Sequence, residues 1–301
     1  MELPTRSGAP LPAARSIDVD GIRTCYYDVG SGPTILCVYG GNFGTAESAS
    51  SAYTWNLQLA SLAGRFRVIA VDKLGQGLTD NPPGDDYTMH AVVQHLAGFI
   101  RAMALPPIHI VGHSRGGYAV TRLTLERPAL VRSVTVINSG TLSIGVGTND
   151  VVLARPPHPR GTRECVRWVY ENYSFNPRIV DDGWVDAVME TLALPKYQES
   201  IRKMETEGLG ARLFAPQLAQ EKRETLAWIA DGRFQRPLQL IWGFNDRTAV
   251  VERGIELFQF FAKHERRIEL HVINESGHFP FREHPARFDA LLANFVMANE
   301  R

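Results

Sequence analysis

IHIVGHSRGG, at residues 108–117, is the segment of this 301-residue chain that indicates its fold most clearly. Its first half is an apolar run typical of a buried strand, and its second half is a G-x-S-x-G motif that leads into a helix starting near Tyr118. In such a strand-turn-helix unit the serine lies on a strained turn, and the flanking glycines let neighbouring backbone approach closely. The Ser114 hydroxyl is therefore predicted to point away from the sheet and toward the N-terminus of the helix, where developing negative charge is stabilised.

Two side chains downstream have the chemistry that would activate this serine. A serine hydroxyl becomes a good nucleophile only when a base takes its proton, and the base needs an acid that orients it. Asp246 follows an apolar run and His278 follows an alternating one, so both are expected just past the ends of strands, where open α/β sheets place their active sites. We predict Ser114 as the nucleophile, His278 as the general base and later general acid, and Asp246 as the orienting carboxylate. Asp231 and Glu275 are the alternatives to Asp246.

An earlier loop is predicted to complete the site with hydrogen-bond donors. The strand predicted at Thr34–Tyr39 ends in a glycine-rich loop at residues 40–44. A developing oxyanion is stabilised by two backbone N–H groups, one from such a loop and one from the residue after the nucleophile. We predict Gly41 and Arg115 as these donors. The side chain of Arg115 is a candidate to pair with a carboxylate of the substrate or of the protein, and the sequence does not decide between the two.

The order of the predicted elements indicates the fold class. A hairpin opens the chain, and strands then alternate with helices up to the strand Val131–Ile137. This alternation is typical of a mainly parallel sheet, here of eight strands, with helices on both faces. The patterns then become helical, with proline and glycine breaks, until strands resume near residue 237. The chain is therefore predicted to be an α/β core at residues 1–140 and 237–301 with a helical cap inserted at residues 141–236.

Composition excludes several classes of partner. Lys plus Arg and Asp plus Glu both number 32, so no overall charge attracts nucleic acid or a membrane surface. No apolar run is as long as a transmembrane helix, and residues 1–15 lack the apolar core of a secretory signal. The three cysteines are too scattered for a disulfide framework, the histidines lack metal-ligand spacing, and no nucleotide-binding glycine loop is present. We predict a cytoplasmic protein that acts on a small molecule without metal, cofactor or nucleic acid, and a homodimer is an option that the sequence leaves open.

Five short matches, in order along the chain, make it similar to the α/β-hydrolase superfamily from roughly Ile17 to the last helix. The matching pieces are Gly40-Gly41, Val71-Asp72-Lys73-Leu74-Gly75-Gln76-Gly77, Gly112-His113-Ser114-Arg115-Gly116-Gly117, Gly243-Phe244-Asn245-Asp246 and Gly277-His278. The resemblance implies the α/β-hydrolase fold and a triad in the order Ser, Asp, His. The position before the first loop is usually histidine in this fold, and here it is Tyr39.

Within that superfamily the chain resembles the meta-cleavage product hydrolases, which split carbon–carbon bonds in dienoates from aromatic ring fission. The residues that carry this resemblance are Gly40-Gly41 followed by Ala46-Glu47-Ser48, Val71-Asp72-Lys73-Leu74-Gly75, and Tyr173-Ser174-Phe175-Asn176-Pro177. The resemblance implies that the substrate is ketonised, that water or serine adds to its carbonyl, and that a carbanion-like fragment leaves. The serine at the elbow excludes relatives that use aspartate there, such as epoxide hydrolases and haloalkane dehalogenases.

Two positions depart from the pattern of the meta-cleavage product hydrolases. Met189 stands where that family usually has a cap arginine that binds the dienoate carboxylate, and Arg163, Arg167 or Arg178 are candidates to replace it. Phe279 follows the catalytic histidine, where the family commonly has tryptophan. A pocket without a fixed cation favours an uncharged ester, lactone or ketone. A carboxylesterase or lactonase is therefore the first alternative, and a receptor-like α/β-hydrolase that binds a small molecule is the second.

The substrate is expected to lie between the nucleophile and the cap. It is predicted to contact Gly40, Asn42, Phe43, His113, Met189 and Phe279. Most aromatic residues of the cap are expected to hold it together, while a minority line an apolar pocket. Because His113 lies inside the elbow, it is expected to pack or hydrogen-bond beside the nucleophile rather than act as a second base.

Overall fold

The computed structural model describes residues 10–145 and 155–300, and its centre is one eight-stranded sheet. The strands are, in chain order, β1 (Arg15–Val19), β2 (Ile22–Val29), β3 (Thr34–Val38), β4 (Arg67–Val71), β5 (Ile108–His113), β6 (Val131–Ile137), β7 (Leu238–Gly243) and β8 (Ile268–Ile273). Their order across the sheet is β1-β2-β4-β3-β5-β6-β7-β8. β2 pairs antiparallel with β1 and β4, and the other neighbours pair in parallel. The prediction of a mainly parallel eight-stranded sheet is confirmed.

The central strands are apolar along their length because helices cover both faces of the sheet. Every residue of β3, β5 and β7 is buried. The β1–β2 hairpin turns on Asp20 and Gly21, whose φ angles are 52° and 84°. Two consecutive positive φ angles are the signature of the hairpin turn whose twist matches that of the flanking strands.

The helices either cover the two faces of the sheet or lie in the segment between β6 and β7. They are, in chain order, α1 (Asn56–Leu62), α2 (Met89–Ala102), α3 (Arg115–Glu126), α4 (Arg163–Tyr173), α5 (Asp182–Ala193), α6 (Pro195–Ile201), α7 (Ala215–Ala230), α8 (Val251–Phe261), α9 (Pro280–Glu283) and α10 (Pro285–Ala298). Leu59 of α1 and Phe288 of α10 belong to the apolar cluster on one face. Leu96 of α2 and Leu257 of α8 belong to the cluster on the other.

Between β6 and β7 the described residues form helices and no strand. Helices α4 to α7 lie here, joined by short turns at Pro177–Ile179, Arg202–Thr206 and Gly210–Phe214. The side chains of Thr162 and Asp181 accept backbone hydrogen bonds at the starts of α4 and α5, as helix N-caps do. Residues 146–154 of the predicted cap lie outside the described residues, and the division of the chain at residues 140 and 236 stays a prediction.

The helix after the G-x-S-x-G motif begins earlier than predicted. α3 starts at Arg115 rather than near Tyr118. Gly116 therefore lies in its first turn, although glycine disfavours a helix. A Cβ on Gly116 would lie only 2.4 Å from the carbonyl oxygen of Val38 in β3. Close packing of the helix on the sheet requires the glycine, and this packing overrides its weak helical propensity.

Three findings bear on membranes, metals and disulfides. Within residues 10–145 and 155–300, no helix combines the length and apolar character needed to cross a bilayer. The same residues hold no cluster of three or more His, Cys, Asp or Glu side chains placed to bind a metal ion. Cys25, Cys37 and Cys165 are buried free thiols.

Candidate active site

Ser114 lies on the sharp turn between β5 and α3. Its backbone angles, φ 54° and ψ −124°, are rare for any residue other than glycine, so the surrounding structure must hold them. The Ser114 N–H donates to the Ile137 carbonyl of β6 at 2.8 Å, and the Ser139 hydroxyl donates to the Ser114 carbonyl at 2.6 Å. A Cβ on Gly112 would lie 2.5 Å from the Gly116 carbonyl oxygen, so the turn closes only with glycine there. The strained turn predicted from the motif is present.

Asp246 and His278 meet beyond the C-terminal ends of β7 and β8. The Nδ1 atom of His278 and Oδ2 of Asp246 are 2.6 Å apart. Asn138 donates to the same oxygen at 2.5 Å, while Oδ1 accepts from the Thr248 N–H at 2.7 Å, the Thr248 hydroxyl at 2.8 Å and the Ala249 N–H at 3.1 Å. Burial by itself raises the pKa of the Asp246 carboxyl, but the His278 ring and these hydrogen bonds outweigh burial and hold that pKa below its ordinary value. The carboxylate is therefore charged and fixed in orientation.

The alternatives to Asp246 do not share this position. Asp231 and Glu275 are both exposed, and no hydrogen bond joins either side chain to His278 among the described residues. Because an ionised carboxylate only accepts hydrogen bonds, Nδ1 of His278 must carry the proton that Asp246 receives. In the neutral ring the lone pair then lies on Nε2, the atom at which general-base chemistry takes place.

His113 and the cap hold the His278 backbone from two sides. The His278 N–H donates to the Tyr173 carbonyl of α4 at 2.8 Å, and Nε2 of His113 donates to the His278 carbonyl at 2.8 Å. Burial, with the nearby His278 ring, lowers the pKa of His113 well below its ordinary value, so His113 is neutral. His113 thus packs and hydrogen-bonds beside the site, and its buried ring positions His278.

A buried carboxylate, Glu283 of α9, joins the His278 loop to the cap. Its Oε1 accepts from the Gly277 N–H at 2.7 Å, and its Oε2 accepts from the N–H groups of Phe175 and Asn176 at 2.9 and 3.1 Å. Burial raises the pKa of Glu283 to about 7, although these backbone donors oppose the shift. Sequence reasoning missed this residue, because two of its donors lie more than 100 positions away along the chain.

The hydroxyl of Ser114 and Nε2 of His278 carry no hydrogen bond to any residue, one another included, in the described part of the chain. Hydrogen bonds between catalytic groups are often long in ligand-free enzymes and shorten when substrate binds. The structure therefore brings Asp246 and His278 together, and the link from His278 to Ser114 stays a prediction.

The loop after β3 lies directly against the nucleophile. A Cβ on Gly40 would lie 2.6 Å from the Ser114 Cβ, so a larger residue does not fit there. Gly41 has a φ of 80°, and its N–H, like that of Arg115, has no acceptor within residues 10–145 and 155–300. Both N–H groups are free to bind an oxyanion, and their role as donors stays a prediction.

Tyr39 and Lys73 hold this loop from behind. The Tyr39 hydroxyl donates to Asp72 at 3.3 Å and accepts from the Lys73 N–H at 3.1 Å. The Lys73 ammonium donates to the carbonyls of Gly40 and Gly41 at 2.8 and 3.3 Å. Tyr39 therefore ties the β3 loop to the β4 loop from the position where histidine is usual. Sequence reasoning assigned Lys73 no role; a lysine directly after a buried strand is the signal that would have found it.

The remaining predicted substrate contacts divide into packed and half-buried side chains. Phe43 and Phe279 are buried among aromatic rings. The ring centroids of Phe43 and of Phe214 in the cap insertion are 6.3 Å apart. Asn42 and Met189 are half-buried. The Oδ1 atom of Asn42 is shielded from solvent and has no partner in the described chain, so it can accept a hydrogen bond from a ligand.

The three arginines considered as replacements for the cap cation are engaged or exposed elsewhere. Arg163 and Arg167 form ion pairs with Asp182 at 2.8 and 2.6 Å, and that aspartate is 78% exposed. Arg178 is exposed. These contacts place the three guanidinium groups at the surface of the cap rather than beside Ser114.

Comparisons with known proteins identify the family. Residues 39–291 match the alpha/beta hydrolase family, and the chain belongs to that family. It is 28% identical over 283 residues to 2-hydroxymuconate semialdehyde hydrolase of Pseudomonas sp. strain CF600, with 94% of this chain and 93% of the relative covered. It is 26% identical over 288 residues to 2-hydroxy-6-oxo-2,4-heptadienoate hydrolase of Pseudomonas putida strain F1, with 95% and 97% covered.

A solved structure shares the same fold. The meta-cleavage product hydrolase from Pseudomonas fluorescens IP01 superposes with a TM-score of 0.75 at 23% identity, and the match covers 94% of this chain and 97% of that one. At this identity the likeness shows the α/β-hydrolase fold and nothing finer. The family match and the two relatives confirm the predicted similarity to the meta-cleavage product hydrolases, and the chain is a hydrolase.

Proposed function

We propose that this hydrolase cleaves a carbon–carbon bond in a small, largely apolar carbonyl compound, a ring-fission dienoate or a related diketone. Ser114, Asp246 and His278 act as the triad. The observation that carries the proposal is the buried Asp246–His278 pair, which orients the ring beyond the same sheet edge as the strained turn of Ser114. The relatives named for 2-hydroxymuconate semialdehyde and 2-hydroxy-6-oxo-2,4-heptadienoate support the substrate class.

The reaction follows from the atoms available. Once the substrate is in its keto form, Nε2 of His278 takes the proton of Ser114 as Oγ adds to the carbonyl carbon, or it takes the proton of a water that adds instead. The N–H groups of Gly41 and Arg115 stabilise the negative oxygen. The carbon–carbon bond then breaks with its electron pair on the departing fragment, which receives the proton from His278. In the serine route, His278 deprotonates a water that adds to the acyl carbon, and it returns this proton to Oγ of Ser114 as the carbon–Oγ bond breaks and the carboxylic acid leaves.

One observation favours a second candidate, a carboxylesterase or lactonase. Met189 is half-buried and packs against the apolar cluster that includes cap helix α5. An apolar side chain at this place suits an uncharged substrate, and the same triad cleaves esters by the same acyl transfer.

The deciding experiment follows the loss of visible absorbance from a ring-fission dienoate, run beside an aryl ester, with Ser114→Ala as the control. We expect dienoate cleavage that falls by at least about a thousandfold in Ser114→Ala, while circular dichroism shows an unchanged fold. Ester turnover without dienoate turnover would favour the esterase. Saturable binding without any turnover would favour a receptor-like role, and near-wild-type rates in Ser114→Ala would contradict the triad. The cytoplasmic location, the homodimer option and the absence of a nucleic-acid partner stay predictions.

A further inference from the structure

Arg115, the residue after Ser114, has a guanidinium group that forms no hydrogen bond or ion pair with any described side chain. Its Nε atom is shielded from solvent and has no hydrogen-bond partner within residues 10–145 and 155–300. The guanidinium carbon lies 5.8 Å from the centre of the Phe214 ring, which belongs to the cap insertion. The group therefore points from the nucleophile toward the cap. The sequence left open whether Arg115 pairs with a carboxylate of the protein or of the substrate. No carboxylate among the described residues pairs with it.

A second basic side chain, that of Lys73, lies close to Arg115. Lys73 is 1% exposed, and its ammonium donates to the carbonyls of Gly40 and Gly41 rather than to a carboxylate. Burial lowers the pKa of Lys73 well below its ordinary value, and the charge of Arg115 lowers it further. Burial likewise lowers the pKa of Arg115, although the hydroxyl of Tyr173 on α4 opposes the shift. The Arg115 guanidinium thus stands beside the nucleophile with a buried lysine nearby, and no ion pair within the described chain involves either side chain.

Arg115 is half-buried, and a guanidinium that loses part of its hydration without gaining an opposite charge destabilises a fold. A perturbed ionisable group in the space between two parts of a protein, without a structural partner, is typical of a ligand site. A guanidinium also offers parallel N–H donors that match the two oxygens of a carboxylate. The missing partner of Arg115 has the chemistry of an organic acid.

We infer that Arg115 binds the carboxylate of the substrate. The inference rests on the proposed function, in which the substrate lies between Ser114 and the cap. Arg115, which directly follows the nucleophile in the core, then supplies the cation that selects an acidic substrate. The cap position of Met189 is apolar. Arg115 is a specificity-determining residue in addition to its backbone role.

The test compares an anionic ester, mono-4-nitrophenyl succinate, with a neutral ester of similar size, 4-nitrophenyl butyrate. Arg115→Met removes the charge and keeps the backbone N–H. The ratio of the two kcat/KM values is the readout, because a disturbed oxyanion hole lowers both rates alike. We expect Arg115→Met to reduce the succinate-to-butyrate ratio at least about 100-fold, chiefly through a higher KM for the succinate. Arg163→Met, at a surface ion pair of the cap, is the matched control and leaves the ratio unchanged.

Stability separates a binding role from a structural one. Removing an unpaired, half-buried charge should leave the melting temperature of Arg115→Met equal to that of the wild type or raise it. A lower melting temperature together with equal losses on both esters would identify a structural arginine and overturn the inference.

A binding measurement keeps the inference apart from the proposed function. Benzoate is titrated calorimetrically into Ser114→Ala, with and without Arg115→Met. At least about tenfold weaker binding in the double variant supports the inference even where neither ester is hydrolysed, while the proposed function is tested separately by cleavage of the dienoate. Equal benzoate affinity in the two proteins, with the esters still hydrolysed, would overturn the role of Arg115 and leave the hydrolase intact.

Discussion

Asp246→Asn is the substitution whose effect the structure determines in most detail. It keeps the size of the side chain and replaces one acceptor oxygen with an NH₂ group. The Oδ1 atom of Asp246 accepts three hydrogen bonds from Thr248 and Ala249, so the amide oxygen must take that place. The NH₂ group then stands at the place of Oδ2, where it faces the Asn138 amide and Nδ1 of His278.

The introduced NH₂ group faces the two groups that donate hydrogen bonds to Oδ2 of Asp246, the Asn138 amide and Nδ1 of His278. Asn138 cannot turn over to accept from it, because the Oδ1 of Asn138 already accepts from the Gly243 N–H at 3.0 Å. One buried donor is left unpaired, which costs about 1–3 kcal/mol of folding free energy. At His278 the NH₂ group donates to Nδ1, so the ring proton moves to Nε2 and the lone pair needed for the Ser114 proton is lost.

The wrong tautomer and the lost carboxylate charge together predict a decrease in kcat of about 10⁴-fold, which corresponds to about 5 kcal/mol. The assay measures Ser114-dependent turnover and, separately, the free energy of unfolding in urea. Asp231→Asn, at the exposed alternative position, is the matched control and should change neither. A decrease below about tenfold in Asp246→Asn would refute the assignment of the orienting carboxylate.

A double-mutant cycle separates the two effects. Asn138→Ala removes the donor that faces the introduced amide, so its stability cost and that of Asp246→Asn should not add. The rate loss of Asp246→Asn should persist in the double variant, because the tautomer of His278 is still wrong. Additive stability costs would contradict the orientation deduced for the amide.

Two further predictions concern Glu283 and Gly40. The pKa of Glu283 is raised from an ordinary value of 4.5 to about 7, so its contribution to stability is complete below about pH 4.5 and is lost as the pH rises to about 7, a change of about 3 kcal/mol. Urea unfolding should therefore show Glu283→Gln gaining on the wild type by about that amount between pH 4.5 and 8, and parallel pH profiles would speak against the buried carboxyl. Gly40→Ala places a Cβ 2.6 Å from the Ser114 Cβ and should reduce kcat about 100-fold by displacing the nucleophile. Gly64→Ala, where an added Cβ has no atom beyond its chain neighbours within 4 Å, is its control. Equal rates in the two variants would contradict the steric role of Gly40.

Short-range sequence patterns are enough to predict the sheet, the turn at Ser114 and the order of the triad candidates. These features depend on the alternation of apolar residues, on glycines at a tight turn and on the ends of strands, all of which act over a few residues. Asp246 and His278 could be predicted because each follows a recognisable strand. The start of α3 at Arg115 could not, since the first turn of that helix depends on the fit of Gly116 against Val38 of a distant strand.

The pairing of charges became visible only in the folded chain. The tertiary structure showed that Asp246 is buried whereas Asp231 and Glu275 are exposed. It also showed that Asp246 accepts a hydrogen bond from the side-chain amide of Asn138, 108 positions away. It also revealed the buried ammonium of Lys73 behind the loop after β3 and the unpaired guanidinium of Arg115 beside the nucleophile. The energy of a buried charge depends on every group within a few ångströms, and folding brings those groups together from distant parts of the chain. Local pattern therefore predicts the scaffold of this site, and long-range packing sets its electrostatics.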